Sequence, residues 1–244
     1  MPQKQHATLI DVIRRVAATP NLARLRLSSI ELPEVAEGLI DLLAANSACR
    51  GEAQRSPVLC PHLHLPLQSG DDRVLAAMNR RYTAAGFLDT VRRLRARIPD
   101  VAITTDVIVG FPGESDEAFE NTLAVCREAA FSRIHVFPFS ARPGTKAAGL
   151  PRRLPARVIT RRKRRLLALA DDLALAFKQR FIGRTVEVLV EATEHEESGR
   201  VSAVGLTPHY LRVRFEGTES LVGRIVPVKV TGATPQMLSA KPVD

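Results

Sequence analysis

With 244 residues, 45% of them hydrophobic and 25% charged, the chain has material for a full core and for more than one domain. No run approaches the roughly 18 apolar residues of a membrane span, and residues 1–15 lack a signal peptide's apolar centre, so the cytoplasm is the expected location and no membrane partner is expected. The formal charge of +9 is concentrated, with ten Lys/Arg against two Asp in residues 151–183, which points to a polyanion partner, nucleic acid first, over a merely solvated helix face.

Up to about residue 150 the pattern alternates helix and strand. Residues 9–16 are helix-like and residues 24–28 form a short strand. Val35, Leu39, Leu42 and Leu43 fall at helical spacing after Pro33-Glu34, which reads as a first turn. Residues 46–57 are small and polar, a loop or insertion. A second strand is expected over residues 62–67, backed by a helix whose stripe is Phe87, Val91, Leu94 and Ile98. The third strand spans 103–109. Asp116 is then expected to cap a helix burying Phe119, Leu123 and Cys126, before a fourth strand over 133–137. Repeated strand–helix units imply parallel strands with right-handed crossovers.

Pro151 and Pro155 punctuate the end of this region. A long helix over 156–179 separates Leu166, Leu169, Leu173 and Phe177 from Arg157, Arg161, Arg164 and Arg165 on another side. After Gly183 the period changes to two, with strands expected over 185–190, 210–215 and 224–230 in a small all-β barrel.

Two apolar runs end abruptly in polar residues and glycine: Leu65-Pro66-Leu67-Gln68-Ser69-Gly70 and Thr105-Asp106-Val107-Ile108-Val109-Gly110-Phe111-Pro112-Gly113-Glu114. Buried parallel strands look like this where they open into a binding mouth, and ligands of α/β proteins collect there. A plain turn with Gly70 in a left-handed conformation is the alternative for the first run. Cys60, His62 and His64 share one parity, the one metal-like constellation in the sequence, but three such residues without a fourth are a weak set and no metal ligand is assigned. Cys49, Cys60 and Cys126 stand at irregular spacing, as free thiols of a reducing compartment do, and Cys126 lies on an apolar stripe.

Taken in order, these motifs resemble the radical-SAM methylthiotransferases, especially the branch that thiomethylates the threonylcarbamoyl-modified adenosine beside the tRNA anticodon. Residues 26–31, 60–70, 78–83, 104–114 and 133–145 carry the likeness, and residues 181–189, 210–217 and 221–230 look like the TRAM domain that ends these enzymes. The resemblance implies an α/β fold: a partial (β/α) radical-SAM-type barrel of about the last four units over residues 1–150, a basic linker helix over 151–182, and a small all-β TRAM barrel over 183–244. It implies S-adenosylmethionine as cofactor, a 4Fe–4S cluster in the intact enzyme, and tRNA as partner.

By the same resemblance, Gln68 and Ser69 face the ribose and methionine ends of the cofactor, and Arg80, in Met78-Asn79-Arg80, holds its carboxylate. Ser28 and Glu31 lie at the mouth of the first strand in the same surroundings. Asp106, Ile108, Gly110 and Gly113 belong to the adenine-contacting strand motif, whose first glycine is here replaced by Asp106. Arg152, Arg153, Arg157, Arg161, Arg162, Lys163, Arg164 and Arg165 are the RNA-binding candidates, with Tyr210 as a stacking platform.

The departure is equally informative. The family begins with an N-terminal domain carrying three cluster-binding cysteines and then places a Cys-x-x-x-Cys-x-x-Cys loop after the first barrel strand; neither is found in this sequence. The chain is therefore read as the C-terminal part of such an enzyme, inactive in radical chemistry by itself, with a separate N-terminal half as a conceivable partner. Two other readings stay open: a stand-alone RNA-binding protein whose barrel remnant is non-catalytic, and a decayed product left with an unpaired barrel edge.

Overall fold

The computed structural model describes residues 7–48, 58–151, 153–195 and 201–243. Four parallel lines of strand run in chain order across an open sheet. The first is β1 (Arg24–Leu25). The second is β2 (Val58–Leu59) continued by β3 (His62–His64). β4 (Ala102–Val109) and β5 (Arg133–Pro138) complete it. Arg24 pairs with Val58, and a bridge from Ser29 to His64 carries the first line alongside the second. His62–His64 pairs with Ala102–Thr104, a further bridge joins Gln68 to Val107, and Thr104–Val109 pairs with Arg133–Pro138.

Helices α1 (Leu9–Ala17), α2 (Glu37–Ala48), α3 (Asp72–Ala77), α4 (Ala84–Arg97) and α5 (Asp116–Ala129) supply the crossovers and the outer layer. Their starts follow local cap chemistry. Thr8 and Asp11 form a reciprocal capping box on α1, and the Thr83 hydroxyl accepts from the Gly86 N–H on α4. The first two strands are shorter than the expected 24–28 and 62–67, ending at Leu25 and His64, and two helix starts also differ from the sequence expectation. Residues Leu32–Glu34 form one 3₁₀ turn, and Val35, at ψ 64°, interrupts the chain before α2 begins at Glu37; Val35 is buried all the same. The cap of α5 is Ser115, whose hydroxyl accepts from the Ala118 N–H at 3.0 Å, because the Asp116 carboxylate is turned instead toward Arg162.

Alternation along the strands sorts the residues. Leu63, Leu65, Ile103, Val107, Val109 and Ile134 are buried against Phe87, Val91, Leu94, Phe119, Leu123 and Phe131 of the helical layer. Each such fully buried side chain contributes about 1.5–3 kcal/mol before entropy is charged against it. The opposite parity carries His62, His64, Thr104, Asp106 and His135, so the inner face of the open sheet is polar.

Gly70 is not left-handed; the positive φ falls on Gln68, at 63°. Gly70 lets the chain pass directly over α5, since an added Cβ would lie 2.6 Å from Thr122 Cα and 2.9 Å from the Asn121 carbonyl oxygen. Gly70→Ala is therefore expected to cost about 1–3 kcal/mol by overpacking against backbone, read from the urea midpoint at unchanged m-value.

Helix α6 (Ala156–Gln179) crosses β5 and leads into a closed five-stranded barrel of β6 (Thr185–His195), β7 (Val201–Leu206), β8 (Arg212–Glu216), β9 (Ile225–Ala233) and β10 (Leu238–Pro242), in the order β10-β8-β7-β6-β9. Its core is Val188, Val190, Ala203, Val213, Phe215, Val228, Val230 and Leu238. The strands β7 and β10 were not expected from sequence. Ser202, Ala203 and Gly205 give β7 small side chains where a strand signal needs bulk, and Gly205 packs against the Leu189 carbonyl, where no Cβ fits.

The barrel docks on the open sheet. Arg24 Nη1 donates to the Leu206 carbonyl at 2.9 Å and Arg26 Nη2 to that of Thr207 at 3.3 Å. The Tyr210 ring lies 4.4 Å from the Arg26 guanidinium and 4.9 Å from the His62 ring. On the other side of the joint, Asp100 accepts from Arg180 at 2.6 Å and from Arg184 at 2.8 Å. Lys178 Nζ donates to the Pro235 carbonyl at 2.7 Å.

Candidate cofactor and nucleic-acid site

A cavity of about 620 Å³ opens at the carboxyl ends of β4 and β5. Gln68, Arg80 and Ile108 line it, together with Phe111, Phe139 and Arg142. The backbone sets this wall: Gln68 N–H donates to the Asp106 carbonyl at 2.8 Å and Ile108 N–H to the Gln68 carbonyl at 2.9 Å, which fixes the left-handed Gln68 between two bonds. Arg80 Nη1 reaches the Glu31 carboxylate at 3.2 Å, and both side chains are partly exposed. Glu31 thus enters the site through Arg80. The cavity pairs a guanidinium and an amide with an apolar wall, a composition suited to an anionic, hydroxyl-bearing ligand with one flat apolar face.

The other proposed cofactor residues stand apart from this cavity. Ser69 is 1% exposed, and its hydroxyl lies 3.3 Å from that of Thr122 while accepting from the Asp71 N–H, so it serves the packing of α5. Gly110, at φ 80°, donates its N–H to Glu114 Oε2 at 2.9 Å, and Ile159 of α6 occupies the space a Cβ would need. Gly113, at φ 86°, borders a neighbouring cleft with Asp71, Pro112 and Asn121. Ser28 is exposed and lines none of these cavities. Asp106 lies on the inner face beside His64, with Oδ2 3.3 Å from Nε2.

The parity argument for Cys60, His62 and His64 does not carry through. His62 N–H donates to the Cys60 carbonyl at 2.7 Å, a tight turn at Pro61 that breaks the strand between β2 and β3. Cys60 is fully buried, and His62 Nε2 is spent on the Thr104 hydroxyl at 3.1 Å. Burial, aided by Arg26, pushes the His62 imidazole down to about 3, so it sits neutral under Tyr210.

The described residues do not fit an iron–sulfur cluster, which takes cysteine thiolates converging on one point. Cys60 lies between β2 and β3 and Cys126 on α5; both are fully buried, and burial pushes the Cys126 thiol up to about 12. Cys49 lies outside the described residues.

The basic segment divides. Arg162 is buried, with Nη1 on the Glu114 carboxylate and its carbonyl and Nη2 2.7 Å from Asp116 Oδ1, so it is a structural ion pair and not an RNA contact. Sequence periodicity alone gave no sign of this, since Arg162 is one position in a run of five basic residues. Burial raises the Glu114 carboxyl, against the Gly110 N–H and the Arg162 guanidinium, which lower it. Arg165 is held by both carboxylate oxygens of Glu120, Arg161 lies 3.6 Å from Asp116, and Arg153 donates to the Ala148 carbonyl. Among the described residues Arg157 and Arg164 are exposed, Lys163 is half-buried, and none of the three has an acidic partner. Arg152 lies outside the described residues. Tyr210, at φ 63° in the turn between β7 and β8, has Arg26 and His62 against its ring and remains 40% exposed.

Parallel strands with a ligand-sized cavity at their carboxyl mouths, followed by a five-stranded barrel, have a counterpart among known families. Residues 9–126 of the chain match the Radical SAM superfamily and residues 179–243 the TRAM domain. Its homologues are tRNA methylthiotransferases. The tRNA-2-methylthio-N(6)-dimethylallyladenosine synthase of Mycobacteroides abscessus is 38% identical over 97% of this chain and 46% of its own length. The synthase of the same name from Clavibacter michiganensis is 41% identical over 96% and 43%. The threonylcarbamoyladenosine tRNA methylthiotransferase MtaB of Bacillus subtilis is 39% identical over 86% and 44%. The chain spans about half the length of the curated relatives it matches. A solved radical SAM enzyme, coproporphyrinogen III oxidase of Escherichia coli, covers 85% of this chain and 46% of its own at 16% identity, with a TM-score of 0.45. No helix of the described residues is long and apolar enough to cross a membrane.

Proposed function

We propose that this chain is the cofactor-holding and tRNA-gripping part of a tRNA methylthiotransferase of the cytoplasm, acting on a modified adenosine beside the anticodon. The observation that carries the reading is the gathering of Gln68, Arg80 and Ile108 around one cavity at the strand mouths. S-adenosylmethionine supplies the cleavable sulfonium of this chemistry when bound. Arg80 takes its carboxylate in exchange for Glu31, Gln68 bonds ribose hydroxyls, and Ile108 with Phe139 flanks the base. Among the described residues Cys60 and Cys126 do not converge on a cluster site, so in this reading the cluster ligands for reductive cleavage come from elsewhere and the described part holds the cofactor without consuming it.

The exposed Arg157 and Arg164, with Lys163, supply phosphate contacts along α6. Replacing these three by alanine is expected to weaken tRNA binding and to lower the slope of log affinity against log salt by about 0.7–0.9 per lost contact, measured by fluorescence anisotropy. Calorimetric titration with S-adenosylmethionine completes the test, with Arg80→Met expected to weaken binding. Salt-sensitive tRNA binding without any cofactor binding would replace this reading with that of a stand-alone RNA-binding protein. Failure to bind either would overturn both.

A further inference from the structure

The inner face of the open sheet brings two histidines and an aspartate together on three adjacent strand lines. His64 ends β3, Asp106 lies in mid β4, and His135 is paired directly with Asp106 on β5. One nitrogen or oxygen of each falls within 4.8 Å of the others, and all three side chains are half-buried. From these positions we infer a mononuclear site for a borderline divalent transition ion, zinc first, held by His64 Nε2, an Asp106 carboxylate oxygen and a His135 ring nitrogen.

The geometry supports this in three ways. The His64 Nε2 to Asp106 Oδ2 separation is 3.3 Å; two ligands bound tetrahedrally at about 2.0–2.1 Å from zinc stand about 3.3 Å apart. The rings of His64 and His135 have centroids 5.9 Å apart at 56°, and one ring nitrogen of each lies within 4.8 Å of the other and of an Asp106 oxygen. The outer support is already in place: the Thr104 hydroxyl lies 3.0 Å from His64 Nδ1, which leaves Nε2 facing Asp106. Ligating histidines are ordinarily oriented through their second nitrogen in this manner. Two imidazoles and one carboxylate select zinc, cobalt or nickel over magnesium and calcium, which take oxygen ligands. Three protein ligands leave an open coordination position.

The site is distinct from the proposed cofactor cavity but adjacent to it. Asp106 and Ile108 share one face of β4, two residues apart, and Ile108 lines the cavity. A bound ion would sit one step deeper on the same surface, between the strand mouths and the docked Tyr210. The inference does not depend on the cofactor reading, because metal binding is measured with no S-adenosylmethionine present.

Titrating the full untagged chain with Zn²⁺ in a calorimeter should show one ion per chain. Asp106→Asn and His135→Gln should each abolish that stoichiometric binding, and Thr104→Val should weaken it about 10–100-fold. Zn²⁺ should raise the thermal midpoint of the parent and leave those of Asp106→Asn and His135→Gln unchanged, which also shows that the variants fold. With Co²⁺ the near-ultraviolet spectrum should lack a thiolate-to-metal charge-transfer band. Absence of binding, binding that survives both substitutions, or a thiolate band assigning the ion to cysteine would each overturn the site.

Discussion

Arg162→Met should lower the stability of the chain by about 3–5 kcal/mol, the cost of leaving a buried carboxylate without its cation. Arg162 and Glu114 have side chains only 3% and 1% exposed, and Glu114 also accepts from the Gly110 N–H. The methionine would match the stem in bulk but offer nothing to Glu114 Oε2, to the Glu114 carbonyl or to Asp116. The double variant Arg162→Met/Glu114→Gln should recover much of the loss, because a glutamine amide oxygen still accepts from Gly110 and no charge is left buried. Urea denaturation of the parent, the two single variants and the double closes the cycle. A single-variant loss below about 1 kcal/mol would mean that Glu114 reaches water, as a surface pair does.

Acid should destabilise the chain well before its ordinary carboxylates titrate. The native His62 imidazole is held down to about 3 by burial and by Arg26, whereas in the unfolded chain it titrates near 6.5. Between those values the unfolded state binds a proton that the native state refuses. Stability therefore falls as pH falls through that window, with a slope that approaches about 1.4 kcal/mol per unit from this group, or about 2.3 kcal/mol in all between pH 6.5 and 4.5. His135, lowered by burial and by Arg133, adds to the same trend. Carboxylates lowered in the native state, such as Asp116 beside Arg162, add a loss of their own at lower pH, so the comparison with His62→Gln isolates the imidazole. Glutamine keeps a polar contact to Thr104 and does not titrate. Urea midpoints at half-unit pH intervals should show a steeper fall for the parent, and parallel curves for the two proteins would place the acid sensitivity elsewhere.

Much of the architecture was legible because it rests on local periodicity. Phe87, Val91 and Leu94 on α4, and Phe119, Leu123 and Cys126 on α5, are buried as their spacing required. The bounds of α6 coincide with the expected 156–179 because Pro155 opens it and its apolar stripe runs unbroken to Phe177. What local pattern could not supply was the partner across space. Arg162 reads as one more cation in a basic run until Glu114, 48 residues earlier, is seen beneath it. His64, Asp106 and His135 are separated by 42 and 29 positions and meet only through strand register. Tyr210 reads as an exposed aromatic, and only the docking of one module on the other shows Arg26 and His62 against its ring.

The clasp of Asp100 on Arg180 and Arg184 has a mechanical meaning. The chain changes from helix to barrel at Gly183, whose φ of 83° would otherwise make a swivel, and one carboxylate grips an arginine on either side of it. With that joint latched, the 24-residue α6 acts as a rigid ruler about 36 Å long. The barrel and the strand mouths are thereby held at a set separation, decided by the polypeptide itself.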